Sequence, residues 1–322
     1  MLSTLPVKSL STSRLPGRGN RDLPILVRVG EPANEKGERV LADAVAACQH
    51  ILGSRLIAAY ALGSLAHGGF SALVSDVDLG LIMADPPLAS DGAALQDAAN
   101  RVRAGGSDLH ERLSVFWATP SILQGQRDGG RFPPLDRLDL LENGRLLEGT
   151  DAREGMLRPT GSELLIAGAE FALDYLGGGR EHPGTASAGL GSMTPVPGDD
   201  TVLKEVRDPA LLVSRGPRRL TKIVLFPVRF LFTAATGQVG TNASAVDYYL
   251  ADHTAPAREL VIRAVGWREA GPARPEEAVP VLQRELVPLY VHYIDDHTMR
   301  LAATGRMDLV ECFRAWKERL LA

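Results

Sequence analysis

Two short polar patterns stand at the ends of apolar runs in the first third of the chain. Gly63 and Ser64 follow one run, and after a spacer of 11 residues Asp76 and Asp78 flank a valine at the start of the next. Side chains two residues apart on a strand point to the same face, so Asp76 and Asp78 are predicted to project together. Neighbouring carboxylates repel each other, and Mg²⁺, which binds one or two carboxylates with phosphate oxygens and water, would offset that repulsion. The pair therefore predicts a magnesium site.

The Gly-Ser pair predicts a phosphate-binding turn beside this metal site. Gly63 has no side chain, so its backbone allows a ligand to approach closely. Ser64 and the N–H groups after it would cradle phosphates at a helix start. His67 lies within the turn, either as a phosphate contact or as an incidental turn residue. An ordinary turn and strand-end caps would explain either pattern alone, whereas the two together predict a site for a metal-bound triphosphate.

Apolar periodicity predicts the elements that position these residues. Helices are predicted over 33–52 and 91–103, and strands over 54–62, 76–83, 112–118 and 137–147. The last strand is centred on Asn143-Gly144, a sequence typical of hairpin turns. The order of these elements predicts a small sheet that is covered by helices on one face.

The pattern becomes helical from residue 161 onward. Helices are predicted over 162–176, 220–237, 244–251, 256–267, 279–296 and 307–321. Residues 176–200 hold 10 Gly or Pro among 25, and a loop of this length is usually functional or disordered. Three regions are therefore expected: a loose tail over 1–33, a sheet-containing domain over 34–155 and an all-helical domain over 156–322.

Composition excludes several classes of protein. Hydrophobic residues make up 45% of the chain and charged residues 23%, a balance typical of globular proteins. The net charge of −4 argues against a dedicated nucleic-acid binder, which usually carries a basic excess. Two cysteines cannot form a disulfide framework, and no run reaches the roughly 18 apolar residues of a membrane span. A cytoplasmic setting without membrane contact is expected.

The two polar patterns resemble a known family signature. The signature of the nucleotidyltransferase superfamily is a hydrophobic residue, Gly-Ser, a spacer and Asp-x-Asp. This chain resembles it with Leu62-Gly-Ser, the spacer of 11 residues and Asp76-Val-Asp. A later segment that carries Arg229 and ends in Thr236-Gly resembles a helix of the aminoglycoside adenylyltransferases that have a C-terminal helical domain. The resemblance spans roughly residues 40–270.

The resemblance implies a fold and a reaction. The fold would be α+β followed by α: a small mixed-sheet nucleotidyltransferase domain and then an all-helical acceptor-binding domain. The reaction would use Mg²⁺ and move a nucleoside monophosphate, expected to be AMP from ATP, to a hydroxyl group. The acceptor would be a small molecule such as an aminoglycoside or a related natural product, which would make the chain an antibiotic-resistance enzyme. The loop at 176–200 becomes a candidate lid over that acceptor.

The resemblance also implies roles for single residues. Gly63 and Ser64 would contact phosphates, Asp76 and Asp78 would hold Mg²⁺ and take part in catalysis, and Arg229 would reach the triphosphate. These positions match the family pattern directly.

The third carboxylate of the family is the main departure. The family carries it on the next core strand as a base or a further metal ligand, and the matching position here is Ser114. A serine cannot act as an ordinary carboxylate base at neutral pH. Glu111 would replace it if the match is shifted, Asp139 would replace it from the strand over 137–147, or the site binds nucleotide with little or no turnover. Asp139 is the preferred candidate for the third catalytic carboxylate.

A basic segment precedes the helix that carries Arg229. Arg215, Arg218, Arg219 and Lys222 lie within eight residues of one another, an arrangement suited to an anion or simply to a solvated face. Arg219 and Lys222 are predicted to bind the nucleotide. The anion could instead be a phosphorylated acceptor or RNA, so a toxin that modifies RNA or protein is an alternative, as is a catalytically weak nucleotide-binding homologue. A nucleoside triphosphate and a small hydroxyl acceptor remain the expected partners.

Overall fold

The computed structural model describes residues 33–176 and 201–322, which belong to one compact unit. Apart from Ala33 and Leu176, the predicted tail over 1–33 and the predicted loop over 176–200 lie outside the described residues. Every described strand lies before residue 155. The domain boundary expected there stays a prediction. Among the described helices, none combines the length and the apolarity that crossing a membrane requires.

The sheet consists of four strands in the described part of the chain. They are β1 (Leu56–Leu62), β2 (Val77–Met83), β3 (Leu113–Ala118) and β4 (Arg145–Gly149). The strand order is β3-β2-β1-β4, with β2 and β3 parallel and the other two pairs antiparallel. A parallel pair needs a long crossover, and residues 84–112 supply it between β2 and β3. The predicted mixed sheet is confirmed.

Helices cover both faces of this sheet. The helices in this half of the chain are α1 (Ala33–Leu52), α2 (Ser64–His67), α3 (Asp91–Ala104), α4 (Asp108–Glu111), α5 (Pro120–Leu123) and α6 (Pro134–Asn143). The helices α1 and α3 pack on the face that carries Ala59 and Leu79, whereas α5 and α6 pack on the face that carries Tyr60 and Ile82. The prediction of helices on one face is wrong, because β1 and β2 are apolar on both sides and both sides must be buried.

The helix α6 replaces a predicted strand. The hairpin expected over 137–147 is wrong: residues 134–143 are helical, and only β4 after them is extended. Pro134 stands in the first turn of α6, where its missing N–H is not needed. Leu135 and Leu138 are three residues apart, a helical spacing. Leu138 and Leu140 are two apart, a strand spacing, and this second pattern led to the wrong prediction. This correction moves Asp139 from a strand to a helix.

The remainder of the chain is helical wherever the structure describes it. The helices are α7 (Gly161–Tyr175), α8 (Thr201–Arg207), α9 (Pro209–Ser214), α10 (Pro217–Thr236), α11 (Asn242–Ala251), α12 (Arg258–Ala270), α13 (Pro275–Ala303) and α14 (Met307–Leu321). The six helices predicted here are confirmed, α14 with the predicted ends and the other five with shifted ends. The short helices α8 and α9 were not predicted. One apolar core joins these helices around α10.

The helix α10 has two different sides. Its apolar side, which includes Leu220, Val224 and Val228, is buried in the helical core. Arg218, Lys222 and Arg229 lie four and seven residues apart along the helix, so they form a single stripe. This stripe positions cations opposite the start of β2.

Candidate functional site

The turn after β1 requires glycine at its first position. Gly63 has φ 61° and ψ −150°, a backbone conformation that L-residues with side chains rarely adopt. A Cβ atom at this position would lie 2.4 Å from Oδ2 of Asp78. The Gly63 N–H donates to Oδ2 of Asp139 at 2.6 Å. The turn is therefore held between two carboxylates, which a larger residue would push apart.

The structure brings the predicted metal carboxylates to the same cleft as the turn. Asp78 stands on β2 opposite Leu62 of β1 and in register with Ser114 of β3. Asp76 immediately precedes β2, two residues away on the same side. Both aspartates line one cavity together with Gly63 and Ser64. The four residues of the two sequence patterns thus converge in space.

Two cations from α10 hold Asp76. Arg218 Nη2 donates to Oδ1 of Asp76 at 2.5 Å, and Lys222 Nζ donates to Oδ2. All three side chains are half-buried. Burial alone acts to raise the pKa of Asp76, but Lys222 and Arg218 outweigh it and hold the pKa below its ordinary value. Asp76 is therefore ionised at neutral pH.

Two further arginines enter the same cavity. Arg229 donates from Nε to the carbonyl of Gly240 at 2.5 Å and lies over the ring of Phe226. Burial lowers the pKa of Arg229, and the nearby carboxylates of the cleft partly oppose this. Arg268, from α12, also lines the cavity and donates from Nη2 to the carbonyl of Gly69 at 2.8 Å. The cavity wall thus receives positive charge from Lys222 and Arg229 of α10 and from Arg268 of α12.

Arg219 does not reach this cavity. It is the neighbour of Arg218 on α10, and one residue along a helix turns a side chain by about 100°. Its Nε donates to Oε2 of buried Glu205 at 2.8 Å, and its guanidinium lies over the ring of Tyr175. Lys222 and Arg229, which were also predicted to bind the nucleotide, do line the cavity.

A second cavity adjoins the first. The two share Gly63, His67, Asp78 and Arg229, and the second is also lined by Leu62, Leu135, Asp136, Leu138, Asp139, Phe230, Thr233, Val239 and Gly240. The first cavity has Lys222 and Arg268 in its wall, whereas the second has Asp136 and Asp139 of α6. One cleft with a cationic end and an acidic end follows from this arrangement, with Asp78 between the ends.

The acids of α6 bear on the question of the third carboxylate. Asp139 is 8% exposed and accepts hydrogen bonds from Gly63 N and from Asn143 Nδ2, the latter at 2.9 Å. Asp136 precedes it by three residues and lines the second cavity as well. Glu111 is exposed and lines neither cavity. The structure therefore brings Asp139 to the cleft and leaves Glu111 outside it.

The sequence patterns missed two charged residues of the cleft, Asp136 and Arg268. Asp136 would have been found if 134–143 had been assigned to a helix, because acids three residues apart share one helix face. Arg268 had no comparable signal, since it lies almost 200 residues from the turn it contacts. Only the packing of α12 brings it there.

The carboxylates in the middle of the cleft resist ionisation. Burial raises the pKa of Asp78 to about 8, with the charges of Asp76 and Asp136 adding to the effect. Burial and the neighbouring Asp139 raise the pKa of Asp136 to about 7. Burial also lowers the pKa of His67, which keeps its ring neutral. A cation placed between these acids would restore their charged forms.

Mg²⁺ fits this donor set as a ligand shared with phosphate. The described residues hold no group of three or more His, Cys, Asp or Glu side chains that could bind a metal ion by themselves. An ionised Asp76 beside Asp78, whose own ionisation it opposes, is suited to a hard divalent cation whose remaining ligands are phosphate oxygens and water. Asp76 and Asp78 are the residues that would hold it.

Comparisons with known proteins find a distant likeness of shape among solved structures. Neither protein-family models nor curated proteins match the chain. Among solved structures, the chain is similar to spectinomycin adenyltransferase AAD(9) from Enterococcus faecialis, crystallised with ATP and spectinomycin. The identity is 12%, the match covers 88% of this chain and 99% of that chain, and the TM-score is 0.48. The likeness is too distant to assign a function, so the case for one rests on the cleft residues.

Proposed function

We propose that the protein is a Mg²⁺-dependent nucleotidyltransferase that moves AMP from ATP to a hydroxyl group of a small molecule. The supporting observation is the convergence of a strained glycine turn, two metal-type carboxylates and a stripe of cations in one cleft. Each part alone has structural explanations. Together they provide what a metal-bound triphosphate needs: oxygen ligands for the metal and positive charge for the phosphates.

The cationic end of the cleft is assigned to the triphosphate. Lys222, Arg229 and Arg268 would neutralise phosphate oxygens, and the turn at Ser64 would contribute N–H donors. Mg²⁺ bound at Asp76 and Asp78 would neutralise charge on the transferred phosphate and on the departing pyrophosphate. These residues would thereby bind the triphosphate at the cationic end of the cleft.

The acidic end is assigned to the acceptor hydroxyl. We infer that Asp136 takes the hydroxyl proton as the acceptor oxygen bonds to the α-phosphorus and the bond to pyrophosphate breaks. A carboxyl whose pKa is near 7 is matched to this task at neutral pH. Asp139, predicted to be the catalytic carboxylate, is instead assigned to hold the turn through Gly63 N.

The alternative acceptors receive less support from the basic segment. Arg215 and Arg219 pair with Glu205, and Arg218 and Lys222 pair with Asp76. The segment is therefore not an exposed basic face of the type that attracts RNA. The alternative of a catalytically weak homologue was motivated by Ser114, which stands where the family has a carboxylate. In this proposal Asp136 provides that carboxylate from α6.

Mass spectrometry tests this function directly. The purified protein is incubated with ATP, Mg²⁺ and a panel of aminoglycosides, and we expect an acceptor to gain the mass of AMP with release of pyrophosphate. Asp78→Ala should abolish the transfer, whereas Asp97→Ala, which removes an exposed aspartate from α3, should leave it intact. Equal transfer by the wild type and Asp78→Ala would refute the proposal.

A further inference from the structure

Both carboxylate oxygens of Asp76 are already engaged by side-chain cations. Arg218 takes Oδ1 and Lys222 takes Oδ2, from positions one helical turn apart on α10. A divalent ion bound to either oxygen would lie within a few ångströms of these two positive charges. Like charges at that distance repel each other strongly near a protein surface, so the paired carboxylate is a poor ligand for a free metal ion.

A metal–triphosphate complex removes this obstacle by bringing its own anions. Phosphate oxygens can replace Asp76 as the partners of Arg218 and Lys222, while the metal replaces the two cations as the partner of Asp76. No charge is left unpaired by this exchange. Neither a free metal ion nor a metal-free triphosphate achieves the same, since the first leaves the cations without an anion and the second adds an anion beside Asp76.

Arg229 provides a useful contrast within the same stripe. Its Nε is held by the carbonyl of Gly240 rather than by a carboxylate. Its charge therefore faces the cleft whether or not Asp76 is paired. Lys222 differs from both arginines in another way. Its flexible side chain ends in a compact ammonium group with three donors, which can change partner without moving α10.

We propose that Lys222 and Arg218 exchange Asp76 for phosphate when the metal–triphosphate complex enters, so that the cleft selects this complex over the free metal ion. The inference rests on the proposed function, because it needs a triphosphate at the cationic end. Binding of the metal and binding of the triphosphate are then linked, and each raises the affinity of the other by the same factor. We expect this factor to be on the order of tenfold or more.

Manganese binding to the full chain tests the exchange. Mn²⁺ is titrated by electron paramagnetic resonance with and without a non-hydrolysable ATP analogue. The wild type should bind Mn²⁺ at least about tenfold more tightly with the analogue. Lys222→Gln should bind Mn²⁺ more tightly than the wild type without the analogue, and should bind the metal-free analogue more weakly.

Two further variants separate the exchange from a general charge effect. Lys204→Gln removes an exposed lysine from α8 and should leave both affinities unchanged. Lys222→Arg keeps the charge and should keep most of the linkage, and its circular dichroism and that of Lys222→Gln should match the wild type.

The outcomes distinguish the inference from the function on which it rests. Two results would overturn the exchange alone. One is an equal Mn²⁺ affinity of the wild type with and without the analogue. The other is an unchanged or weaker Mn²⁺ affinity in folded Lys222→Gln. Failure of the wild type to bind the analogue under any metal condition would overturn the proposed function as well.

Discussion

Two carboxylates near the start of α10 each hold a pair of cations, yet they lie in very different surroundings. Glu205 binds Arg215 and Arg219, and its side chain is 3% exposed in the helical core. Asp76 binds Arg218 and Lys222, and its side chain is 27% exposed at the cleft. The carboxylate is thus buried at Glu205 and accessible at Asp76, although each is paired with two cations. Accessibility, rather than the number of cations, therefore separates a structural ion pair from one that a ligand can enter.

The largest expected effect is the loss of activity when the accessible carboxylate is removed. Asp76→Ala should lower the rate of nucleotide transfer by about a thousandfold, because it removes a proposed metal ligand and leaves the cations of the cleft unbalanced. Its stability should change by no more than about 1 kcal/mol, since partly exposed ion pairs contribute little. Pyrophosphate release and urea denaturation measure the two quantities. Near wild-type activity would remove Asp76 from the site.

The sealed carboxylate should show the reverse pattern. Glu205→Gln should lower the free energy of unfolding by about 3 kcal/mol, because removing one partner of a buried ion pair leaves Arg219 without its counter-charge. The activity of the protein that remains folded should be close to that of the wild type. Urea denaturation and transfer assays at low temperature check this. A variant that is stable but inactive would place Glu205 with Asp76 and erase the distinction between the two.

Two glycines of the turn opposite Asp76 sharpen the comparison further. Gly63 and Gly68 both have positive φ, so alanine at either position should cost about 1 to 3 kcal/mol of stability. Only at Gly63 would the new Cβ meet Asp78; at Gly68 it would meet open space. Gly63→Ala should therefore lose at least about tenfold more transfer activity than Gly68→Ala. Similar activity in both variants would mean that the contact between Gly63 and Asp78 is not needed.

The smallest expected effect concerns Asp136. Burial raises the pKa of this acid more than the neighbouring cations lower it. Its pKa is raised to about 7, so the folded state loses stability as pH rises from the ordinary aspartate value of about 4 to about 7. Asp136→Asn removes this loss. The variant should gain about 1 kcal/mol relative to the wild type between pH 6 and pH 7, as measured by urea denaturation at both values. The opposite trend would show that Asp136 is paired like Asp76.

Several elements followed from local sequence patterns, whereas others did not. Helix α1 and β2 were predicted within one residue, because their apolar spacing is regular and long. Helix α6 was not, because closely spaced leucines satisfy strand and helix periods equally well. The error had a functional consequence: with a strand predicted over 137–147, Asp139 lay inside it and Asp136 just before it, so the two could not be seen as one acidic face.

The residues proposed to bind metal and phosphate were found in the sequence because they lie close together along the chain. Gly63 with Ser64, and Asp76 with Asp78, lie on one continuous stretch of chain, where the periods of strand and turn suffice to orient them. The partners of these residues come from distant segments. Arg218 and Lys222 lie more than 140 residues away, and their rotation about α10 depends on which side of that helix the core buries.

The sequence by itself determined the chemical types at the site: a turn that needs glycine, two carboxylates on one strand face and a helix rich in arginine. Tertiary structure alone decided which cations meet which acids. Arg218 and Arg219 are chemically identical neighbours, yet one faces Asp76 in the cleft and the other faces Glu205 in the core. The physical reason is that successive side chains of a helix point about 100° apart. The packing of α10 therefore exposes the charge of one arginine to the cleft and buries that of the next.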